Sequence, residues 1–211
     1  VVNQKFNKMK SSPNLLSTNI SKVGLEVMPK KAKPISLTHD QTLCGNLDIQ
    51  INSEGLWLYR GSPIGRKEIV NLFASVLSMD ENGRYWLTTP TEKGEIFVED
   101  VPFQAIEMDV LYQNEEQVLS FRTNINEVII ADIDHPIRIE TNPETGEPSP
   151  YIMVRDRLEA RLTRTVFYQL VDLGVEMTVE IEQGKDIINE QVFGVWSSKK
   201  FFHIGKITQL N

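Results

Sequence analysis

Sulfur ligands and catalytic motifs are scarce in this chain. Its 211 residues include one cysteine, Cys44, and three histidines. A single cysteine excludes an intramolecular disulfide framework and a cysteine-based zinc cage. The sequence also contains no His-Glu-x-x-His zinc helix and no Gly-x-Ser-x-Gly nucleophile elbow. We therefore predict a protein of the cytoplasm, a reducing compartment, that is not an enzyme and uses no metal or cofactor.

Long apolar runs are missing as well. No stretch approaches the ~18 apolar residues that span a bilayer, and residues 1–30 lack the apolar core of a secretory signal. Residues 1–38 contain seven lysines and one glutamate, a net charge of +6, whereas the whole chain carries −7, so the remainder sums to −13. An acidic body excludes general nucleic-acid binding, which needs clustered Lys and Arg. We predict no membrane contact and a basic, mostly disordered tail over residues 1–38.

Alternating apolar and polar residues dominate the chain after this tail. Leu47, Ile49 and Ile51 alternate with polar neighbours, and residues 95–139 continue in the same period, which is typical of half-buried strands. Apolar residues recur at spacings of three and four in two places, and there they predict helices. Strands interrupted by two helices indicate an α+β fold on mostly antiparallel sheets. We divide the chain into the tail, an N-terminal α+β domain at 39–100 and a C-terminal α+β domain at 101–211.

Residues 60–67, Arg-Gly-Ser-Pro-Ile-Gly-Arg-Lys, follow a predicted strand and open the first predicted helix. Ser62 suits an N-cap, and Pro63 suits a first helical position. A helix start exposes unpaired N–H groups and a partial positive charge, so Arg66 there is unfavourable unless an anion binds. The stretch therefore predicts an anion pocket. Alternatively, Glu68 closes a capping box and neutralises its neighbours.

A fainter copy of this unit occurs about a hundred residues later. Residues 164–171 can be aligned with residues 66–73, so Arg164 takes the place of Arg66, and Thr163 can cap the second helix. Arg155 precedes this helix and can oppose Arg66 in a phosphate or carboxylate fork. Alternatively, these arginines lie on a solvated face beside acidic neighbours. Two related units that meet across a cleft would bring both cationic helix starts together.

Two further groups admit a functional and a structural interpretation. Asp132, Asp134 and His135 form a candidate metal or hydrolase cluster, but a turn capped by the aspartates is favoured because Pro136 keeps His135 extended. Trp196 can stack on a flat ligand, with the polar turn at residues 197–200 closing over it, or it can belong to the core.

Several segments in the same order resemble an uncharacterised bacterial family, the domain of unknown function numbered 1285. The resemblance runs from about Cys44 to Gly205 and rests on these segments: Gly61-Ser62-Pro63-Ile64, Leu72-Phe73-Ala74, Thr89-Pro90-x-Glu92, Val101-Pro102-Phe103, Phe121-Arg122-Thr123-Asn124, His135-Pro136, Tyr151-Ile152-x-Val154-Arg155, Phe167-Tyr168-x-Leu170-Val171 and Gly194-x-Trp196-Ser197. It implies a duplicated α+β arrangement whose C-terminal half is superficially similar to a pleckstrin-homology sheet with a helix. It also implies a nucleotide-like ligand between the halves and a signalling role. The residues that it carries over are Arg60, Gly61, Ser62, Pro63, Arg66, Arg155 and Trp196.

Residues and resemblance together predict a non-catalytic module that binds a small, phosphate-bearing or nucleotide-like anion between two related halves. The predicted ligand-binding residues are Arg60, Gly61, Ser62, Pro63, Arg66, Arg155, Arg164 and Trp196. The alternative is a protein-interaction adaptor without a small-molecule ligand, which recruits its partner through an exposed sheet edge or the acidic stretch at residues 176–182.

Overall fold

The structure is a computed structural model that describes residues 41–183 and 186–206, with the side chains of 180–189 and 206 excepted. Every described element belongs to one compact unit, Thr38–Asn211. The predicted tail at 1–38 lies outside the described residues. The described part is mostly β, with two helices.

The first sheet contains the strands of residues 42–98. In chain order the elements are β1 (Thr42–Ile51), β2 (Trp57–Tyr59), β3 (Ser62–Pro63), α1 (Lys67–Ser75), β4 (Leu77–Met79), β5 (Tyr85–Thr88) and β6 (Glu92–Val98). The sheet order is β3-β2-β1-β6-β5-β4, in which β1 and β6 run parallel and the other neighbours antiparallel. Two antiparallel three-stranded meanders are thus joined side by side.

The remaining elements form a second and a third sheet. They are β7 (Phe103–Gln113), β8 (Glu116–Thr123), β9 (Val128–Ile130), β10 (Ile137–Thr141), β11 (Pro148–Arg155), β12 (Leu158–Leu162), α2 (Arg164–Asp172), β13 (Val175–Gln183), β14 (Asp186–Ser197) and β15 (Lys200–Lys206). The second sheet has the order β10-β11-β12-β7-β8-β9, again with a parallel central pair, and the third has the order β13-β14-β15. The two six-stranded sheets therefore repeat one topology.

The two helices do not occupy equivalent positions in this repeat. Each has nine residues and lies between two antiparallel meanders: α1 between β1–β3 and β4–β6, and α2 between β10–β12 and β13–β15. The predicted alignment of residues 66–73 with 164–171 does not follow the repeat of the sheets, because α1 lies between the two meanders of the first sheet whereas α2 follows both meanders of the second. In the repeat β4–β6 corresponds to β10–β12, and β13–β15 forms a sheet of its own.

One apolar core joins all three sheets and both helices. The alternation seen in β1 places Ile49 and Ile51 inside. The contributing side chains include Trp57 from the first sheet, Ala74 from α1, Phe103, Leu119 and Phe121 from the second sheet, Leu170 from α2, and Val195 and Phe202 from the third sheet. Burying such side chains contributes roughly 1.5–3 kcal/mol each, which holds the three sheets as one body.

Candidate functional site

The predicted start of the first helix is a hairpin instead. Arg60 and Gly61 have φ of 48° and 78° and form the two-residue turn between β2 and β3. Two consecutive positive φ values are typical of a type I′ hairpin turn. The strand register then pairs Ser62 with Tyr59 and Pro63 with its neighbour in β2. The prediction that Ser62 caps the helix is therefore wrong, because the turn draws it into a strand.

Arg66 is the actual N-cap of α1. Its backbone is extended, its side chain makes no cap hydrogen bond, and Lys67 is the first helical residue. Glu68 is the second helical residue, so the predicted capping box is not formed. Arg66 and Lys67 are exposed and have no side-chain partner among the described residues. Two cations thus stand at a helix start on an open surface.

The other cations of the predicted pocket have protein partners. Arg60 lies 3.3 Å from Asp48 (Nε to Oδ2) and 5.2 Å from the Tyr59 ring centre. Arg164 opens α2, is 76% exposed, and lies 3.4 Å from Glu147 (Nη2 to Oε1). Both helix starts are open to solvent and each carries a cation.

Arg155 connects the two halves. Its Nη2 donates to the Ala74 carbonyl in the last turn of α1 at 2.7 Å, and its Nη1 pairs with Glu127. The guanidinium carbon lies 5.2 Å from the Phe103 ring centre, and the side chain is 25% exposed. The planar fork predicted to oppose Arg66 therefore binds protein groups.

A second polar cluster fills the boundary between the halves. Asp100, in the connection from β6 to β7, accepts from Tyr151 Oη and from Arg161 Nη1, each at 3.1 Å. Burial, with the nearby Asp100 charge, raises the pKa of Tyr151. Arg138 pairs with both carboxylate oxygens of Glu159, at 2.6 and 2.5 Å. Arg161 pairs with Asp100 and Arg138 pairs with Glu159, so these arginines bind protein groups rather than a ligand.

The aspartate and histidine group is a capped turn. Asp132 Oδ1 accepts from the backbone N–H of Asp134 and of His135, each at 2.9 Å, and lies 3.0 Å from His135 Nδ1. The favoured turn-capping interpretation is confirmed. No group of three metal-ligating side chains occurs within the described residues.

Trp86 is buried in the first sheet. Its indole N–H donates to Asp80 Oδ2 at 3.0 Å, and Arg84 and Lys93 lie 5.1 and 4.5 Å from its ring centre. Asp80 also accepts from the backbone N–H groups of Asn82 and Arg84. The Arg84 backbone hydrogen bond is the largest influence that lowers the pKa of Asp80, from its ordinary 3.8 to about 2.

This lowered pKa predicts a pH-dependent contribution to stability. A carboxylate whose pKa is lower in the folded state stabilises fully above its unfolded pKa, and the contribution disappears as pH falls through the folded value. The difference in unfolding free energy between the wild type and Asp80→Asn should be constant above about pH 5 and shrink between about pH 4 and pH 2. Urea titrations at a series of pH values measure it. A difference that stays unchanged down to pH 2 would contradict the assignment.

Trp196 lies in a groove between two hairpin turns, which we name the hairpin groove. Its volume is about 310 Å3, and it is lined by Glu116, Gln117, Trp196 and Lys199. One turn, at residues 114 and 115, joins β7 to β8, and the other, at residues 198 and 199, joins β14 to β15. All four turn residues have positive φ, as type I′ turns require.

The two hairpins are bonded together beneath the groove. Ser197 Oγ accepts from Leu119 N–H at 2.9 Å and donates to the Ala131 carbonyl at 2.7 Å. The Ser198 N–H donates to the Gln117 carbonyl at 3.0 Å. Gln117 Nε2 in turn donates to the Trp196 carbonyl at 2.7 Å. The lining residues are therefore held by the body of the protein.

The groove presents an aromatic face beside opposite charges. Trp196 is 41% exposed, and its ring centre lies 5.3 Å from that of Phe201. Lys199 Nζ lies 3.0 Å from Glu116 Oε1, and the lysine side chain is 77% exposed. Tyr112 stands directly opposite Gln117 in the β7–β8 register and is 71% exposed. A flat ligand could contact the tryptophan ring and the ammonium together.

The comparisons with known proteins decide the family. Residues 34–101 match the N-terminal domain of DUF1285, described as a domain of unknown function, and residues 102–204 match the C-terminal domain of DUF1285, described as a protein of unknown function. The chain belongs to the DUF1285 family. No curated protein matches it.

Two solved DUF1285 structures are similar to this chain. The DUF1285 family protein from Silicibacter pomeroyi DSS-3 is 41% identical, with a TM-score of 0.67, over 79% of this chain and 84% of the other. The DUF1285 family protein from Shewanella baltica OS155 is 26% identical, with a TM-score of 0.47, over 59% of this chain and 90% of the other. The resemblance to family 1285 is confirmed.

In this DUF1285 protein the sequence predicted one of the two hairpins that form the hairpin groove. Trp196 and the polar turn after it are candidates from the sequence, whereas Glu116 and Gln117 are not. No local pattern marks them, because they reach Trp196 through the contact of two hairpins 79 residues apart. Within the described part, no helix is long and apolar enough to cross a membrane.

Proposed function

We propose that this DUF1285 protein is a non-catalytic cytoplasmic module that binds a small anion, phosphate-bearing or nucleotide-like, and relays its occupancy to a partner in a signalling or regulatory role. The hairpin groove is the observation that carries the proposal. Its volume of about 310 Å3 is at the lower end of the ~300–1,000 Å3 of small-ligand sites. We also propose that the C-terminal half is pleckstrin-homology-like. The groove lies between two hairpins of this half.

The lining side chains supply complementary contacts for such a ligand. An exposed tryptophan ring stacks on a base or another planar group. The ammonium of Lys199 pairs with a phosphate or carboxylate. The Gln117 amide donates to the Trp196 carbonyl, so its Oε1 is available as an acceptor for ligand N–H groups. The groove is thus lined by a ring for stacking, an ammonium for ion pairing and an amide for hydrogen bonding.

This location differs from the predicted cleft between the halves. Arg155 binds the Ala74 carbonyl and Glu127, and Arg66 and Arg164 do not line the groove. Trp196 is the predicted residue that does line it. We therefore propose the ligand site within the C-terminal half.

Calorimetric titration with adenosine monophosphate, guanosine monophosphate and inorganic phosphate tests the proposal. Trp196→Ala should weaken nucleotide binding by about 10-fold or more, because base–aromatic stacking contributes roughly 1–3 kcal/mol. Glu116→Gln should strengthen it by about 2–5-fold, because Glu116 competes with the phosphate for Lys199 in an exposed pair. Lys200→Gln, a neighbouring exposed lysine outside the lining, is the matched control and should change nothing.

The possible results separate the hypotheses. Binding lost in Arg66→Ala but kept in Trp196→Ala would move the site to the start of α1. Inorganic phosphate that binds as tightly as either nucleotide would overturn the stacking role. No binding of any probe at millimolar concentration would leave the adaptor alternative, which is favoured by β13 being an edge strand of the third sheet.

A further inference from the structure

Strand β7 has one edge that is only partly paired. It pairs with β12 over residues 103–105 and with β8 as far as Gln113. Along residues 107–113, which we name the β7 arm, the edge opposite β8 has no strand partner in the described part of the chain. A free edge of this length presents backbone N–H and C=O groups that can pair with another strand.

The β7 arm has few of the devices that protect free edges: a register shift precedes it, and its charged side chains are Glu107 and Asp109. Its sequence, Glu-Met-Asp-Val-Leu-Tyr-Gln, contains no lysine and no proline. Val110, Leu111 and Tyr112 are 36%, 44% and 71% exposed. The outer strands of the first sheet are shorter: β3 has two residues, one of them Pro63, and β4 has three. The arm is therefore a long edge with exposed apolar side chains. Residues 42–48 of β1, where Leu43 is 67% exposed, also lack a second strand partner among the described residues.

We propose that the β7 arm pairs antiparallel with the β7 arm of a second copy of this chain, with Val110 opposite Val110. In this register Met108 faces Tyr112 on one side of the joined sheet. On the other side Asp109 faces Leu111 and Glu107 faces Gln113. Because side chains directly opposite one another share a face, Val110 faces Val110 and Met108 faces Tyr112, while Leu111 faces Asp109, and no two like charges are directly opposite.

Competing registers are less favourable. A two-fold axis normal to the sheet allows only pairings that keep each residue on its own face. Centring the pair on Asp109 places two carboxylates opposite each other, which is destabilising. Centring it on Leu111 pairs only residues 109–113. The Val110 register uses all seven residues of the arm.

The second copy meets no described strand on this edge beyond Ala105, and α2, which follows β12, packs against β7. β12 pairs with β7 no further than Ala105, so it ends before the arm begins. The partner's arm then continues along the edge that β12 leaves free. Seven residues per copy is well below the ~20–30 per partner of a standard-size interface, so we expect a reversible dimer whose population depends on concentration.

Sedimentation velocity over a concentration series tests the dimer. The wild type should shift from monomer to dimer as concentration rises, whereas Val110→Lys and Val110→Glu should each remain monomeric, because like charges would meet at the axis. An equimolar mixture of these two variants should restore the dimer, because lysine then faces glutamate. Ile133→Lys, a substitution at an exposed apolar residue outside the arm, is the control and should dimerise like the wild type.

Each contrary result overturns the proposal. A wild type that stays monomeric up to millimolar concentration, or a Val110→Lys variant that dimerises as well as the wild type, excludes pairing through the arm. A mixture that stays monomeric excludes the Val110 register. Circular dichroism of each variant confirms that it is folded. Ligand binding in the groove is a separate measurement, because Val110 does not line it.

Discussion

Arg155→Ala is expected to lower the free energy of unfolding by about 2–4 kcal/mol. The substitution removes the partner of Glu127 and the donor to the Ala74 carbonyl, and it removes the guanidinium that lies over the Phe103 ring. Breaking a fully buried ion pair costs about 3–5 kcal/mol, and the 25% exposure of this side chain lowers the expected value. For a domain of this size the midpoint temperature should fall by roughly 5–10 °C.

Arg157→Ala is the matched control for this prediction. Arg157 lies two residues further along the chain, in the turn between β11 and β12, and is exposed without a side-chain partner among the described residues. Its removal should change stability by less than about 0.5 kcal/mol. A double-mutant cycle with Glu127→Ala should give a coupling of about 1–3 kcal/mol. If Arg155→Ala lowered the free energy of unfolding no more than Arg157→Ala does, the proposed connection between the halves would be excluded.

The role of Arg155 shows what residue type and spacing can and cannot predict. Four arginines between residues 155 and 164 indicated a concentration of positive charge. They did not indicate what that charge binds, because the partners Ala74, Asp100 and Glu127 are distant in the chain. Tertiary pairing places Arg155, Arg161 and Arg164 beside oxygens of their own protein. A cation-rich stretch therefore predicts an anion, and only the fold determines whether that anion is a ligand or a carboxylate.

The fold was easier to predict from the sequence than the partners of the arginines. Apolar and polar residues alternate around Ile49 and Ile51, and this alternation predicts that one face of the strand is buried. The pattern can be read from neighbouring residues alone. The two similar helix segments predicted a duplication, and the two six-stranded sheets do repeat one topology, but α1 and α2 do not occupy equivalent positions in that repeat. The segment from Arg60 to Pro63 was misassigned because Ser-Pro is typical of a helix start, whereas Arg60 adopts a positive φ that non-glycine residues seldom adopt. The pairing of β2 with β3 overrides the local preference.

The hairpin groove depends on a contact that no local pattern encodes. Strand β14 belongs to the third sheet, whereas β8 belongs to the second. Ser197 joins them: its side chain is fully buried and lies between the Leu119 N–H and the Ala131 carbonyl. One hydroxyl thus completes a hydrogen-bond path across two sheets, next to the residue that lines the groove.

Ser197→Ala is therefore expected to destabilise the protein by about 2–4 kcal/mol. The change leaves a buried N–H donor and a buried carbonyl acceptor without their partner, and each unsatisfied group costs about 1–3 kcal/mol. Urea unfolding followed by circular dichroism measures the difference. If the groove is the ligand site, the variant should also bind nucleotide more weakly, although Ser197 does not line the groove.

Ser198→Ala provides the control for Ser197→Ala. The backbone N–H of Ser198 donates to the Gln117 carbonyl, and this bond survives the substitution. Its stability should stay within about 0.5 kcal/mol of the wild type. A loss below about 0.5 kcal/mol in Ser197→Ala would mean that the Leu119 N–H bonds the Ala131 carbonyl directly once the hydroxyl is removed, in addition to the existing bond from the Ala131 N–H to the Leu119 carbonyl. In that case the two hairpins are held by apolar packing of Val195 and Phe202 rather than by the serine.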